Sequence, residues 1–564
     1  MTGSRPNKTA ASFNSNNAKI GGDSNYCRSE EHVWIAIIKQ LRRIFELMRR
    51  FFRSFWNSLM GRQTARGAAL VSITFTGLGK VLGYGRTLLI AWLFGASGGV
   101  DAFYVALGIL SLLVTTASTV LTSTLLPVMA NASPEVGRAF FVRIWRIFMG
   151  GTIVLLLGIS LFPGSVVEFF ARNFDPQRMH QAAIMLLWMI PWTVGMIHQS
   201  FLTVWSNLQG RYSVVSSILN IWNVVAIAFM WGAGKYWGEV AIAQAYSLSI
   251  VLVTILMWFV LADMPMSAQQ GSIPKGLRRQ FWTEVLICLG IVGSSGLFQV
   301  VDRYFGSALP EGNIAALGYA SVVYTLPIQV LGPIFYVFLV KSSKAKTLTE
   351  SQGQLQSALL LIWGYLFPCG CVLAVASKPV VSILFGHGAF GADAIALTAK
   401  CISMASPIIP FAAWQGLLFR YAQAQHRLML IMVISYVGVV LNGFLDWLFL
   451  PFWGAPGLCL ATSLVWGAVS LSYLLILSRE LLVPVIKQVS FSSCIVLAIA
   501  TGFSLIGTLA SPFPYLLFAG TVTVAYFFLG DCLGMFPFLP SQWRPLAMFG
   551  FIHNRLFNKS LKSS

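Results

Sequence analysis

The 564-residue chain is 57% hydrophobic and only 10% charged, with a mean hydropathy of +0.74 and a formal net charge of +20. Soluble domains carry about 25% charged residues, so this composition excludes a water-soluble protein and points to a polytopic membrane protein. The basic excess does not describe a nucleic-acid surface, because most Lys and Arg residues gather in short loops and at both ends of the chain.

Residues 1–32 are rich in Ser, Asn, Lys and Gly and are expected to form a disordered tail. No short apolar stretch with a small-residue cleavage site follows a basic start, so no signal peptide is expected. Residues 33–66 differ. Trp34, Ile38, Leu41, Phe45, Met48, Phe52, Phe55 and Leu59 recur three and four apart, and Lys39, Arg42, Arg43, Arg49, Arg50 and Arg53 fill much of the remainder. This is a basic amphipathic helix, with residues 33–60 suited either to anionic lipids or to the protein's own cytoplasmic face.

Fourteen apolar runs long enough to span a bilayer follow, near residues 67–93, 102–127, 144–163, 181–205, 213–233, 239–261, 282–305, 314–340, 356–385, 396–419, 428–450, 456–478, 488–509 and 513–535. With a cytoplasmic N-terminus, the loops after even-numbered spans hold Arg138, Arg143, Arg211, Lys275, Arg278, Arg279, Lys341, Lys344, Lys346, Arg427, Arg479 and Lys487. The opposite loops hold Arg172, Arg178 and Lys235. That alternation supports fourteen spans with both termini cytoplasmic.

Four markers recur at almost one offset. Phe94-Gly95 matches Phe305-Gly306, Val166-Val167 matches Val380-Val381, Pro191 matches Pro407, and Gln209-Gly210-Arg211 matches Gln425-His426-Arg427. An even number of spans intervenes, so the halves are expected to be parallel repeats forming a V-shaped cavity. The expected architecture is all-α: an N-lobe at 67–261, a cytoplasmic linker at 262–281, a C-lobe at 282–478, a two-helix appendage at 479–540 and a basic tail at 541–564. Of the eight cysteines, Cys288, Cys369, Cys371, Cys401, Cys459 and Cys494 sit in apolar runs, where Cys behaves as a small hydrophobe.

Four ionisable residues lie inside apolar runs: Lys80, Arg86, Asp302 and Asp446. A charge at that depth costs roughly 2.5–3.5 kcal/mol on insertion scales unless it pairs or faces water. Such residues mark a pathway or a binding site. No His, Cys or carboxylate cluster has the spacing of a nucleophile or a metal hydrolase, so no enzyme is expected.

The segment Gly79-Lys80-Val81-Leu82-Gly83-Tyr84-Gly85-Arg86, then Phe94-Gly95-Ala96 and Asp101-Ala102-Phe103-Tyr104-Val105-Ala106, resembles the first two helices of the MurJ (MviN) lipid II flippase family. That family belongs to the multidrug/oligosaccharidyl-lipid/polysaccharide exporter superfamily. Val301-Asp302-Arg303-Tyr304-Phe305, Leu309-Pro310-Glu311-Gly312, Leu317-Gly318-Tyr319-Ala320 and Phe385-Gly386-His387-Gly388-Ala389-Phe390 are similar to later family segments. The resemblance covers roughly 67–535. It implies a flippase of the bacterial inner membrane that moves an undecaprenyl-pyrophosphate-linked glycan outward for peptidoglycan biosynthesis. It also implies a monomer without cofactor, working beside cell-wall or polysaccharide biosynthesis enzymes. Flippases for an exopolysaccharide or O-antigen repeat unit, and more distantly a cation-coupled drug exporter, are the alternatives.

A pyrophosphate calls for cations in a partly desolvated cavity. Lys80 and Arg86 are six apart, about 120° from each other around a helix, and are candidate headgroup ligands; alternatively Arg86 pairs with Asp101. Asp101 opens a helix, where a carboxylate also serves as a cap. Thr115, Ser118 and Thr119 are candidates for sugar hydroxyls, or bond their own i−4 carbonyls. Asp302, Asn442, Asp446 and Thr462 form an all-oxygen set suited to a hard cation, with Asn442 and Asp446 four apart on one helix face. The resemblance names that cation as sodium and adds the carbonyl of Leu458; alternatively Asp302 pairs with Arg303. The chain departs from the family at Val114-Thr115, where an Arg pair is usual, and at Ser321-Val322, where Asp-Arg is usual.

Overall fold

The computed structural model describes residues 65–494, except 131, 261–273, 332–337, 339–346, 426, 488, 491 and 492. The expected tail, amphipathic helix, thirteenth and fourteenth spans and basic C-terminus lie outside the described residues. Among the described residues every regular element is a helix. These are α1 (Ala65–Phe94), α2 (Gly98–Val120), a π-helical turn (Leu121–Leu125), α3 (Leu126–Ala130), α4 (Pro134–Leu161), α5 (Pro163–Phe170), α6 (Pro176–Trp188), α7 (Ile190–Leu208), α8 (Tyr212–Trp237) and α9 (Val240–Val260). They continue with α10 (Lys275–Gly306), α11 (Asn313–Val330), α12 (Leu348–Val375), α13 (Ser377–Phe385), α14 (Ala392–Ala405), α15 (Ile408–Ala424), α16 (Leu428–Trp453) and α17 (Ala455–Leu477).

Each of the first twelve expected spans meets a helix or a broken helix pair. Among the described residues, seven helices are long and apolar enough to cross a membrane alone, nine if each of two bent pairs is one span. α16 shows why the surroundings must be lipid. Ser435, Asn442 and Asp446 are buried on one face while Val437, Val440 and Phe444 are exposed on the other. A helix in water would reverse that order.

The internal repeat is visible as geometry. α6 and α7 meet at 42°, and α14 and α15 at 47°. Each bend has a proline at its second arm, Pro191 and Pro407, because proline lacks the N–H and crowds the carbonyl of the preceding turn. α8 and α16 are both 26 residues long and start 216 positions apart, at 212 and 428. Ser247 Oγ donates to the carbonyl of Trp188 and Ser463 Oγ to that of Met404, again 216 apart in both members. These hydroxyls brace each bend against the last helix of its own half.

α8 and α16 end in a like manner. Gly238 has φ 56° and ψ −148°, and Gly454 has φ 58° and ψ −136°. That region is open to glycine alone. Gly454→Ala is expected to cost about 1–3 kcal/mol, read as a lower midpoint of thermal unfolding followed by tryptophan fluorescence in detergent. An unchanged midpoint would show that this corner relaxes freely.

Candidate functional site

Three constellations of polar groups lie inside the bundle. The first joins the two halves. α2 is capped by Ser97 Oγ, which accepts from the N–H of Val100 at 3.4 Å. Asp101, in its first turn, is fully buried and reaches the other half. It accepts from the N–H of Gly312 at 2.7 Å and of Ala315 at 2.6 Å, so it caps α11 rather than α2. The positive end of a helix favours a carboxylate there. Arg178 Nη1 stands 3.6 Å from Asp101 and donates to the carbonyl of Leu309 at 3.3 Å. Arg178 also pairs with Asp175, which lies outside the spans; the N–H and guanidinium of Arg178 hold that carboxyl below the usual range. The backbone closes the same end. Tyr319 donates to the carbonyl of Gly95 at 2.7 Å, and the N–H of Ala389 to that of Trp92 at 2.9 Å. Gly312, at φ 83°, has no room for a side chain, since a Cβ would lie 2.5 Å from the carbonyl oxygen of Ala96.

The second constellation brings together all five residues expected around a cation. Asn442 Nδ2 donates to Asp302 Oδ1 at 2.8 Å and to Asp446 Oδ2 at 2.9 Å. Thr462 Oγ1 lies 3.4 Å from both oxygens of Asp302 and donates to the carbonyl of Leu458 at 2.9 Å. α10 supplies Asp302, α16 supplies Asn442 and Asp446, and α17 supplies Leu458 and Thr462. Asn442 Oδ1 and Asp446 Oδ1 are buried without a hydrogen-bond partner among the described residues. The alternative pair of Asp302 with Arg303 does not form: Asp302 is bonded to Asn442 and approached by Thr462 instead. Two adjacent buried carboxylates, two orphaned oxygens, a hydroxyl and a carbonyl fit a small hard cation.

The third surrounds Arg86. Its guanidinium lies between the rings of Trp222 and Tyr246, 4.4 Å from each centroid, and Nη1 donates to Asn223 Oδ1 at 2.9 Å. The alternative partner Asp101 is engaged elsewhere. Lys80, on the same helix, is exposed, and its Nζ lies 3.4 Å from the carbonyl of Gln329 on α11. The two cations therefore diverge, one into its own half and one toward the other.

Thr115 of α2, and Thr122 and Ser123 of the turn after it, bond their own helix. Thr115 donates to Ser111 O at 2.7 Å, Thr122 to Ser118 O at 2.8 Å and Ser123 to Thr119 O at 2.6 Å. Such back-bonding loosens the ladder, and the π-helical turn at Leu121–Leu125 falls there. Ser118 is half-buried and Thr119 exposed. Arg178, Trp222, Asn223 and Tyr246 were not singled out from the sequence as site residues. The run Asp175-Pro176-Gln177-Arg178 signals a helix start, but its role in joining the halves is not local information.

A helical bundle in two halves of like construction, with carboxylates inside and Val and Phe on its flank, has the architecture of a multi-pass membrane transporter. The family described as lipid II flippase MurJ matches residues 90–529, and the chain belongs to that family. A relative from Synechocystis sp., named "Probable lipid II flippase MurJ", is 26% identical over 71% of this chain and 79% of its own length. Another of that name from Thermotoga maritima is 24% identical over 68% and 79%. Among solved structures, "Lipid II flippase MurJ, inward closed conformation" has a TM-score of 0.72 and 20% identity, covering 82% of this chain and 99% of that one. An inward-facing multidrug resistance MATE family transporter has a TM-score of 0.62 and 10% identity, covering 74% and 99%. At these identities the two structures show a shared fold.

Asp101→Ala is expected to strip two backbone donors and Arg178 of their acceptor, at a cost of about 1–3 kcal/mol. Asp101→Asn, which keeps the shape, is expected to fall between it and the wild type. Thermal unfolding in detergent measures the order; equal midpoints for all three proteins would mean that the closure does not depend on this carboxylate.

Proposed function

We propose that the protein moves an undecaprenyl-pyrophosphate-linked glycan of lipid II type from the inner to the outer leaflet of the bacterial cytoplasmic membrane, by alternating access coupled to sodium. The cargo class follows from the family to which the chain belongs. The distribution of Lys and Arg supports both termini in the cytoplasm, with residues 33–60 on its anionic leaflet. In that orientation the Asp101 closure lies at the outer end, and releasing the cargo outward requires α11 to give up its cap.

One observation supports the coupling. Asp302, Asn442, Asp446 and Thr462 converge with the carbonyl of Leu458 and leave two buried oxygens unpartnered. These groups would hold sodium. When bound, the ion supplies the positive charge that two adjacent buried carboxylates lack, and so draws α10, α16 and α17 together. A ligand shifts a conformational equilibrium only by its differential affinity for the two states, and a site assembled from three helices has that property. Asp302 and Asp446 are fixed by Asn442 between them, so the carboxylates are already oriented before an ion arrives.

A specific observation favours a second cargo. Val114-Thr115 and Ser321-Val322 carry no cation, which suits an exopolysaccharide or O-antigen repeat unit on the same lipid carrier. Proteoliposomes loaded with fluorescent lipid II, or with such a lipid-linked repeat unit, distinguish the two by the fraction that becomes accessible to an external quencher.

Sodium is expected to raise the thermal midpoint of the wild type by a term that grows with the logarithm of its concentration above Kd. Potassium at equal ionic strength is expected to do so much less, since its radius suits a tight oxygen cage poorly. Asp446→Asn keeps the shape and removes the charge, so it is expected to erase the sodium-specific increment while the protein stays folded. If the variant kept the full difference between the two ions, this cluster would not be the coupling site.

A further inference from the structure

Arg303 is the immediate neighbour of Asp302 on α10, yet its side chain leaves that cluster and crosses to the other half. The guanidinium lies against α2 at Gly108, where a Cβ would collide with Nη1 and Cζ. Glycine at 108 is thus the cradle that admits this cation between the halves. Nη1 is sealed from solvent and has no hydrogen-bond partner among the described residues. A guanidinium N–H sealed from water without an acceptor is costly. It is the arrangement expected of a group that waits for an anion.

A cavity beside it has room for one. Its volume is about 410 Å³ and its wall is largely apolar, with Arg303, Tyr104, Asp302, Ser321, Thr325 and Thr462 as polar points on it. From its wall a polar stripe runs along α11 at four-residue spacing. Thr325 donates to the carbonyl of Ser321 at 2.6 Å, and Gln329 Nε2 lies 3.4 Å from Thr325 Oγ1. Lys80 stands at the far end of the stripe, on the carbonyl of Gln329. From Ser321 to Gln329 is about 12 Å of helix at 1.5 Å per residue. Cations therefore mark both ends of one hydrogen-bonding track, one from each half of the bundle.

We propose, on the premise of a prenyl-pyrophosphate cargo, that Arg303 is the cation that receives the diphosphate inside the cavity, standing in for the positive charge absent at Val114-Thr115 and Ser321-Val322. A planar guanidinium offers paired donors that match two phosphate oxygens, which an ammonium does not. Lys80, exposed and flexible, meets the headgroup first; Arg303 holds it at depth. The position next to Asp302 has a consequence. A cation on Asp302 removes a negative charge beside Arg303 and so strengthens its hold on phosphate, and by linkage phosphate strengthens cation binding by the same factor.

The test uses the purified full chain in nanodiscs, with undecaprenyl pyrophosphate and neutral undecaprenol as probes, and tryptophan fluorescence as the readout. Arg303→Gln is expected to bind undecaprenyl pyrophosphate about tenfold or more weakly, the scale of a lost charged hydrogen bond, while undecaprenol binding and the thermal midpoint change little. Arg303→Lys is expected to lose less. Adding sodium is expected to tighten pyrophosphate binding by the wild type and not by Arg303→Gln. Wild-type affinity for the pyrophosphate in Arg303→Gln overturns the assignment, as does an equal loss for undecaprenol, which would mark a packing role. A wild type that binds both probes alike overturns the pyrophosphate premise itself, and with it the role of Arg303.

Discussion

A single carboxylate holds the amino end of a helix in the opposite half of the molecule, and the closed end of the bundle is organised around it. Asp101 is fully buried, a position tolerated because two N–H groups of α11 and the guanidinium of Arg178 surround it. α11 in turn needs the carboxylate, since the first N–H groups of a helix have no partner of their own. Glycines at 95, 312 and 388, all with positive φ, let the chain turn where the two halves come within backbone contact. The joint combines these hydrogen bonds with side-chain packing across the halves, such as the ring contact of Tyr104 with Tyr319.

The two halves repeat the same helices and assign them opposite charges. In the first, α1, α8 and α9 enclose Arg86 between Trp222, Asn223 and Tyr246. In the second, α10, α16 and α17 enclose Asp302, Asn442, Asp446 and Thr462. Tyr246 and Thr462 are 216 positions apart, the offset of the repeat itself. One junction therefore contains a cation covalently attached to the chain and stabilised by ring faces. The other contains carboxylate, amide and hydroxyl oxygens with no fixed cation set between them.

Much of the site was legible in the sequence because each clue was local. Asn442 and Asp446 are four apart, which places them on one face whatever the helix packs against. Asp302 and Lys80 stand out against apolar runs. Pro191 and Pro407 announce their bends through the missing N–H. The partners of the remaining charges were not legible. Arg86 and Asp101 are close in sequence and of opposite sign, yet each is bonded elsewhere. Arg178 belongs by position to a loop and by structure to the joint between the halves. Arg303 adjoins Asp302 in sequence and turns away from it, because Gly108 opens a place for it on α2.

The amino-acid sequence by itself determined the class of protein, the order of the helices among the described residues, the internal repeat and the oxygen-bearing face of α16. Hydropathy, helical periodicity and proline chemistry act over a few residues and accumulate along the chain, so they survive without knowledge of the fold. Only the tertiary structure decided which charges meet. Asp101 caps α11, Arg86 is enclosed within its own half, Lys80 faces the other half, and Arg303 enters the cavity between them. Those outcomes depend on which helices cross and at what depth, and on a glycine or a carbonyl supplied by a distant part of the chain, none of which a local pattern encodes.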